Sequence, residues 1–204
     1  MRNHVIAELV KLARTDSRIM LAIADLGFNV VEGFQKEFPD RFINVGIAEQ
    51  NLTAVAAGLA HEGNEVFTYS IGNFPTLRCI EQIRNMVCYH QANVKILAVG
   101  GGFAYGTLGM THHATEDIAM MRSLPNMKVF VPADAIEAVS CLHEMCKYDG
   151  PCYLRMARGH EPNIHSEPDY TVIDNRHLLP IVEGGNKVAI LASGTILSEA
   201  VKLQ

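Results

Sequence analysis

Short apolar runs alternate with helix-like segments along most of this chain, and this alternation limits the fold more than any other feature. Residues 19–24 and 94–99 are nearly continuous apolar runs of strand length, whereas residues 2–14 carry apolar side chains at helical spacing. Strands that are apolar on both faces suit the middle of a parallel sheet. We therefore predict an α/β fold, a mostly parallel β-sheet with helices on both faces.

The same reading gives the order of the elements. We predict strands at residues 19–24, around 42–45, and at 65–69, 94–99, 127–131 and 152–156. We predict helices at residues 2–14, 30–38, 49–60, 76–90 and 133–147, with one more opening at 111–117. Ligands of such folds bind at the carboxyl ends of the strands, so we look for functional residues there.

The composition of the chain changes near residue 160, where a polar, proline-containing stretch replaces the alternation of apolar runs and helix-like segments. We predict a core domain at residues 1–160 and a linker at 161–186. Residues 187–204 then begin a new strand at 188–192 and a helix, too little to form a core alone. We interpret them as the truncated start of a second α/β domain.

Charge and composition exclude several functions. The formal net charge is −5 and no lysine or arginine run is present, so we expect neither nucleic acid nor a membrane surface as partner. No apolar run is long enough to cross a bilayer, and no signal peptide is visible, so we expect a cytoplasmic protein. The five cysteines lack C-x-x-C spacing, which predicts neither disulfides nor a metal site.

Glu49 is the first candidate for chemistry. It follows a short apolar strand and a glycine turn, and it opens a helix whose apolar stripe includes Leu52, Val55 and Leu59. A carboxylate at the edge of a buried face needs a reason. Acidic residues also favour the positive end of any helix, so spacing alone leaves a structural role open.

Four segments, in order, resemble the transketolase family of thiamine diphosphate enzymes. They are FINVGIAEQN at residues 42–51, GMTHHATED at 109–117, LPNMKV at 124–129 followed by PAD, and GPCYLR at 150–155 followed by Arg158. The resemblance covers nearly the whole chain. It implies the pyrimidine domain of the thiamine diphosphate-binding fold, followed by the first piece of the family's C-terminal domain.

The resemblance also implies roles for individual residues. Glu49 would hydrogen-bond the aminopyrimidine ring of thiamine diphosphate and so activate the cofactor. Phe74 and Ile71 occupy positions of the family's aromatic cluster, with Phe74 as the ring that stacks on the pyrimidine. His112 matches the histidine that contacts the donor's hydroxyl and moves protons. His113 is the second choice for that contact, and two histidines in a glycine-bounded loop are also common as solvated residues.

Four more residues lie where the family contacts its substrate. Asp25 and Asn29 follow the first strand, and Arg2 and Arg158 stand where arginines grip a sugar phosphate, a task for which a guanidinium is suited. Isolated arginines are also common on surfaces, so a structural role stays open for both.

The chain departs from the family at three points. Leu108 replaces an acid that reads the donor's hydroxyl, and Gly100 replaces a histidine that contacts phosphate. The Gly-Asp-Gly motif that holds the diphosphate and Mg²⁺ is absent from the sequence. The resemblance therefore implies that a partner subunit or another domain holds the diphosphate and the metal, within a homodimer or heterotetramer.

The resulting hypothesis is a transketolase subunit or fragment. It would transfer a two-carbon ketol unit from a ketose, with or without a phosphate, to an aldose. One alternative is an enzyme similar to 1-deoxyxylulose-5-phosphate synthase, which the doubled histidine also resembles. A second alternative is a non-catalytic assembly or regulatory subunit with the same fold, which Leu108 and Gly100 would suit.

Overall fold

The fold is built on one sheet. The computed structural model describes residues 1–159, 161–166, 180–185 and 187–203. The strands are β1 (Ile19–Ile23), β2 (Phe42–Asn44), β3 (Glu65–Ile71), β4 (Val94–Val99), β5 (Lys128–Phe130) and β6 (Cys152–Met156). In the described residues they form one parallel sheet in the order β2-β1-β3-β4-β6-β5. The predicted fold class is confirmed.

Helices connect the strands. They are α1 (Arg2–Thr15), α2 (Glu32–Glu37), α3 (Glu49–His61), α4 (Ile80–Gln82), α5 (Asp117–Ser123), α6 (Ala135–Cys146) and α7 (Leu197–Val201). A 3₁₀ turn, Leu77–Cys79, precedes α4, and a π-helical segment, Ile83–Cys88, follows it. No helix in the described residues is both long enough and apolar enough to cross a membrane.

The two faces of the sheet bury two separate cores. On one face, side chains such as Leu21 and Phe67 pack against α1, α2 and α6. On the other face, Ala22 and Val66 pack against α3, α5 and the segment Ile83–Cys88. Successive strand residues point to opposite faces, so strands covered on both sides must be apolar throughout. This is the physical origin of the continuous apolar runs in the sequence.

Three predicted elements differ from the structure. The helix predicted at 76–90 is divided into a 3₁₀ turn, a short α-helix and a π-helical segment. The helix predicted to open at 111–117 begins only at Asp117, because the preceding residues form turns. The strand predicted at 188–192 does not form, and no described strand pairs with it. A strand requires a hydrogen-bonding neighbour, which an apolar run alone does not supply. Residues 167–179 and 186 of the predicted linker lie outside the described residues.

Asp134 caps α6 and fastens the segment that follows the sheet. Its Oδ1 accepts a hydrogen bond from the backbone N–H of Glu137 (2.8 Å), and the Glu137 carboxylate accepts one from Ala133 N–H (2.6 Å). This differs from a capping box in one respect: the Glu137 carboxylate accepts from the residue before the N-cap and not from the N-cap itself. The Oδ2 of Asp134 accepts from the backbone N–H groups of Ile164 (2.7 Å) and His165 (2.8 Å). One buried carboxylate therefore joins the helix to residues 161–166.

This arrangement predicts a pH-dependent contribution to stability. Burial acts to raise the pKa of Asp134, but the hydrogen bonds from Glu137, His165 and Ile164 outweigh it and hold the pKa below its ordinary value. Because the pKa of Asp134 is lower in the folded than in the unfolded state, its ionised form stabilises the fold at pH values above the unfolded pKa of about 3.9. This stabilisation is lost as the pH falls through the folded pKa of Asp134. We expect Asp134→Asn to lower the free energy of unfolding by about 1–3 kcal/mol at neutral pH, because an amide nitrogen in place of Oδ2 cannot accept hydrogen bonds from Ile164 and His165.

Chemical denaturation at neutral pH and in acid measures this effect. The difference in the free energy of unfolding between Asp134→Asn and the wild type should become smaller in acid, because Asp134 of the wild type is itself protonated there. Asp40→Asn, at an exposed aspartate, is the matched control and should change little. A constant difference at both pH values would contradict the proposed linkage.

Most of the cysteines are buried packing residues. All five are free thiols, and Cys79, Cys88, Cys141 and Cys152 are buried. Burial raises the pKa of Cys79, Cys88 and Cys152 to about 11. These buried thiols are therefore protonated at neutral pH and poor nucleophiles.

Candidate active site

The predicted site residues gather at one edge of the sheet. Asp25 follows β1, Glu49 follows β2, Phe74 follows β3, His112 follows β4 and Arg158 follows β6. Because every strand runs in the same direction, these positions all lie at the carboxyl edge. Parallel α/β sheets bind their ligands there.

The turn before α3 places Glu49 at the helix entrance. Gly46 adopts a positive φ of 74°, and the Asn44 side chain accepts hydrogen bonds from the backbone N–H groups of Gly46 and Asp25, both at 3.0 Å. The chain then turns sharply, and Ala48 N–H donates to the Gly46 carbonyl (2.8 Å). Glu49 is the first residue of α3, and its side chain is only 2% exposed.

Arg78 is the counter-charge of Glu49. Its Nη1 donates to Oε2 of Glu49 at 3.1 Å, and its side chain is 52% exposed. The Gln50 side chain donates to the Arg78 carbonyl (3.1 Å), which ties the 3₁₀ turn to α3. A buried carboxylate thus meets a guanidinium that reaches solvent. The Arg78 guanidinium therefore contacts both the buried carboxylate of Glu49 and the solvent.

Phe74 and His112 lie beside this pair. The Arg78 guanidinium is 5.1 Å from the centroid of the Phe74 ring, and the Phe74 and His112 rings are 5.0 Å apart in an edge-to-face arrangement. Glu49, Arg78, Phe74 and His112 therefore form one continuous row of side chains. Edge-to-face rings and a cation over an aromatic face are both favourable arrangements.

The histidine loop, residues 100–116, presents the two histidines differently. His112 contacts the Tyr105 ring (5.8 Å between centroids), and its Nδ1 is 3.0 Å from the Thr111 hydroxyl. His113 contacts the Gly106 carbonyl through Nε2 (2.8 Å) and packs on the Phe103 ring (5.0 Å). Only His112 of these two joins the row with Phe74.

Arg2 and Arg158 converge on two tyrosines. The guanidinium of Arg158 lies 4.9 Å from the centroid of the Tyr105 ring, and the positive charge of Arg2 lies near the Tyr69 side chain. Burial raises the pKa of Tyr69 to about 12, against the opposing effect of Arg2, and burial also raises the pKa of Tyr105. Both hydroxyls are neutral at physiological pH. Because these tyrosines are neutral, they do not compensate the positive charges of Arg2 and Arg158, which can attract an anion.

The departure at Gly100 has a structural reason. A Cβ at this position would lie 2.1 Å from the Tyr105 ring, and Gly100 has a positive φ of 84°. A histidine could not occupy this position unless Tyr105 moved. Tyr105 therefore fills the space beside Gly100, while Leu108 is 53% exposed.

Asp25 and Asn29 belong to a neighbouring part of the edge. Both adopt left-handed backbone conformations, with φ of 51° and 61°. The Asn44 side chain donates to Asp25 Oδ1 (3.0 Å), and Asn29 N–H donates to Glu32 (2.7 Å). Asp25 and Asn44 line a shallow pocket beside Phe28. Non-glycine residues held in this region of φ cluster at functional sites.

Sequence reasoning missed Arg78 and Tyr105. Arg78 lies 29 residues after Glu49 along the chain. The sequence did indicate that Glu49 has a cationic partner, because a carboxylate on a buried helix face needs a counter-charge. The sequence does not show which arginine supplies it. Ile71 ends β3 and is partly exposed, so its contact with a cofactor stays a prediction.

The residues present fit the pyrimidine half of thiamine diphosphate. A ring nitrogen needs a carboxyl group shielded from water, and Glu49 provides one at 2% exposure. A flat heterocycle needs an aromatic surface, and Phe74 provides a half-buried ring. Among the described residues, no cluster of three or more histidine, cysteine, aspartate or glutamate side chains is arranged to hold a metal ion.

Fold and site together define a parallel α/β domain that presents a shielded carboxyl group at the carboxyl edge of its sheet, linked through an arginine to an aromatic ring. The family model described as transketolase, pyrimidine binding domain, matches residues 1–162. The chain belongs to this family, as the sequence motifs predicted.

Individual relatives agree. An apulose-4-phosphate transketolase subunit of Phocaeicola vulgatus is 36% identical over 200 residues, covering 94% of this chain and 64% of that protein. The putative transketolase C-terminal section of Methanocaldococcus jannaschii is 37% identical over 195 residues, covering 95% and 61%. A split-gene transketolase solved as an inactive tetramer superimposes with a TM-score of 0.73 at 42% identity, covering 82% of this chain and 54% of that one.

A second enzyme type is also similar. The 1-deoxy-D-xylulose-5-phosphate synthase of Bacillus cereus is 37% identical over 201 residues, covering 97% of this chain but 31% of that protein. The chain spans 53% to 64% of the length of the first four curated relatives. The pyrimidine-binding domain is thus common to several activities.

Proposed function

We propose that this chain supplies the pyrimidine-binding half of a thiamine diphosphate-dependent transketolase. The observation that carries the proposal is the shielded Glu49 carboxyl group in one row with Phe74 and His112. When bound, the cofactor supplies a thiazolium carbon that becomes nucleophilic after its aminopyrimidine ring is activated. The overall reaction is transfer of a two-carbon ketol unit from a ketose to an aldose.

Each side chain of the row has a task. Glu49 exchanges a proton with the pyrimidine nitrogen N1′, and its shielding from water strengthens that hydrogen bond. Arg78, which is 52% exposed, would have to release the Glu49 carboxyl group for the ring to reach it. Phe74 supports the ring by stacking. His112, hydrogen-bonded to Thr111 at Nδ1, moves a proton at the donor's hydroxyl.

We propose that a partner holds the diphosphate and Mg²⁺. The Gly-Asp-Gly motif is absent from this sequence, and one relative is named as a transketolase subunit and another as a C-terminal section. Large exposed apolar side chains adjoin the site residues along the chain: Ile47 near Glu49, Leu77 beside Arg78, and Met110 near His112. A partner that covers this edge of the sheet would bury these side chains. The assembly would be a homodimer or a heterotetramer with its active sites between chains.

The substrate end of the site suits an anionic sugar. Arg2 and Arg158 would bind a phosphate or a comparable anion. One relative is named for apulose 4-phosphate and another for 6-deoxy-6-sulfo-D-fructose, both of which carry an anionic group. We propose a ketose with a terminal anionic group as donor, contacted by His112 and His113, with Asp25 and Asn29 toward the sugar.

Reconstitution tests the proposal. The chain is combined with a candidate partner protein that carries a Gly-Asp-Gly motif, together with thiamine diphosphate, Mg²⁺, a ketose phosphate and an aldose. We expect ketol transfer only in the complete mixture. Absence of any cofactor-dependent signal would contradict the proposal and favour the non-catalytic subunit.

A synthase activity is the second candidate. It is favoured by the 37% identity to the Bacillus cereus synthase across 97% of this chain. Release of carbon dioxide from pyruvate in the same mixture would establish it in place of ketol transfer.

A further inference from the structure

The histidine loop is rich in glycine, and its start is fastened to the end of β6 by the backbone hydrogen bond from Gly100 N–H to the Met156 carbonyl (2.7 Å). Gly102 and Ala114 form an isolated pair of backbone hydrogen bonds (2.6 and 3.0 Å), which closes the loop at its base. The Asn73 side chain donates to the Thr111 carbonyl (2.8 Å), beside His112. Glycines lose much conformational entropy on ordering, so a loop of this composition needs an anchor.

Arg155 lies beneath the base of this loop. Its Nη2 donates to the Ala114 carbonyl at 3.3 Å, and its Nε donates to Asp117 Oδ2 at 2.8 Å. Its guanidinium also occupies the space beside Gly101, where a Cβ would lie 2.3 Å from Cζ. One side chain of β6 thus contacts the start of the loop, its end and the helix that follows.

Asp117 completes the anchor. It is the first residue of α5 and is 1% exposed, and its Oδ2 also accepts a hydrogen bond from the Tyr153 hydroxyl at 2.6 Å. The Arg155 side chain is 21% exposed. A buried ion pair of this kind is geometrically specific, because a planar guanidinium with fixed donors must meet its acceptors in one orientation.

We infer that Arg155, held by Asp117, is a positioning residue that fixes the histidine loop so that His112 meets Phe74. The expected effect on kcat rests on the proposed function, whereas the expected effect on the position of His112 does not. Arg155 itself is not in the row with Glu49, so its effect on catalysis passes through His112. A glycine is required at position 101 because the Arg155 guanidinium occupies the space that a Cβ would fill.

Gly101→Ala is the sharpest test. Gly101 has no positive φ, so alanine is compatible with its backbone, and the added Cβ would displace a flexible guanidinium while leaving every buried charge in the chain. Gly33→Ala on α2 is the matched control, since a Cβ there meets nothing within 4 Å. In the reconstituted complex we expect Gly101→Ala to lower kcat roughly tenfold or more with unchanged affinity for thiamine diphosphate.

A second readout uses the chain without its partner. The ring protons of His112, assigned with a His112→Gln variant, should show a ring-current shift from Phe74 in NMR spectra. We expect this shift to be lost in Gly101→Ala and in Arg155→Gln, and retained in Gly33→Ala and in Arg122→Gln, at an exposed arginine of α5.

The outcomes separate the two proposals. An unchanged His112 resonance in both Gly101→Ala and Arg155→Gln, or a wild-type kcat in Gly101→Ala, would overturn the positioning role. Loss of the shift supports it even if the wild-type complex proves inactive, a result that would count against the proposed function alone.

Discussion

Replacing Glu49 with glutamine is expected to lower turnover of the reconstituted complex by roughly 10²–10⁴-fold, the usual contribution of a positioned proton-transfer group. Glutamine keeps the shape of the side chain but cannot exchange a proton with the pyrimidine nitrogen. The fold should persist, since the change removes a buried charge and a single ion pair with the half-exposed Arg78. Steady-state kinetics and circular dichroism measure the two effects.

Glu62→Gln provides the control. Glu62 is an exposed glutamate directly after the same helix, so its change alters the net charge equally without touching the site. It should retain wild-type turnover. Equal activity of the Glu49 and Glu62 variants would remove Glu49 from the mechanism.

The largest effect on stability is expected at Lys95, on the opposite edge of the sheet. Lys95 is fully buried in β4, and its Nζ donates to the carbonyls of Tyr148 (2.5 Å) and Gly150 (2.9 Å), with Glu65 Oε1 at 3.9 Å. Burial raises the pKa of Glu65, which Lys95 opposes. Lys95→Met would leave a buried carboxyl group and two carbonyls without their cation. We expect a loss of about 3–5 kcal/mol in the free energy of unfolding.

Urea denaturation of the chain measures this loss. The double variant Lys95→Met with Glu65→Gln should recover part of it, because the uncompensated acid is then gone. A loss below about 1 kcal/mol in the single variant, or no recovery in the double variant, would contradict the account, since buried ion pairs with one partner removed cost several times more.

Local sequence determined the elements that depend on local chemistry. The predictions of β4 at 94–99 and β6 at 152–156 agree with the structure residue for residue, because each is a buried run bounded by turn residues. The start of α3 at Glu49 was also predicted. By contrast, the strand predicted at 188–192 failed, since strand formation depends on a partner that the sequence does not identify.

Sequence motifs identified some of the candidate site residues. Residues whose importance depends on contacts between distant segments were missed. His112 and Phe74, both proposed from motifs, contact each other through their rings, and their roles in a site stay predictions. Arg78 follows Phe74 closely in the sequence, but its pairing with Glu49 requires the 3₁₀ turn to face α3. Lys95 was counted within an apolar strand. Its acceptors come from the turn before β6, which periodicity in β4 cannot reveal.

Exchange of the thiazolium C2 proton of thiamine diphosphate for deuterium tests the central claim most directly. The complex is mixed with deuterated water and quenched with acid at short times, and the remaining C2 proton is measured by NMR. The account predicts much faster exchange in the wild-type complex than for free cofactor, and exchange close to the free rate with Glu49→Gln. Equally fast exchange in both complexes would show that Glu49 does not activate the cofactor.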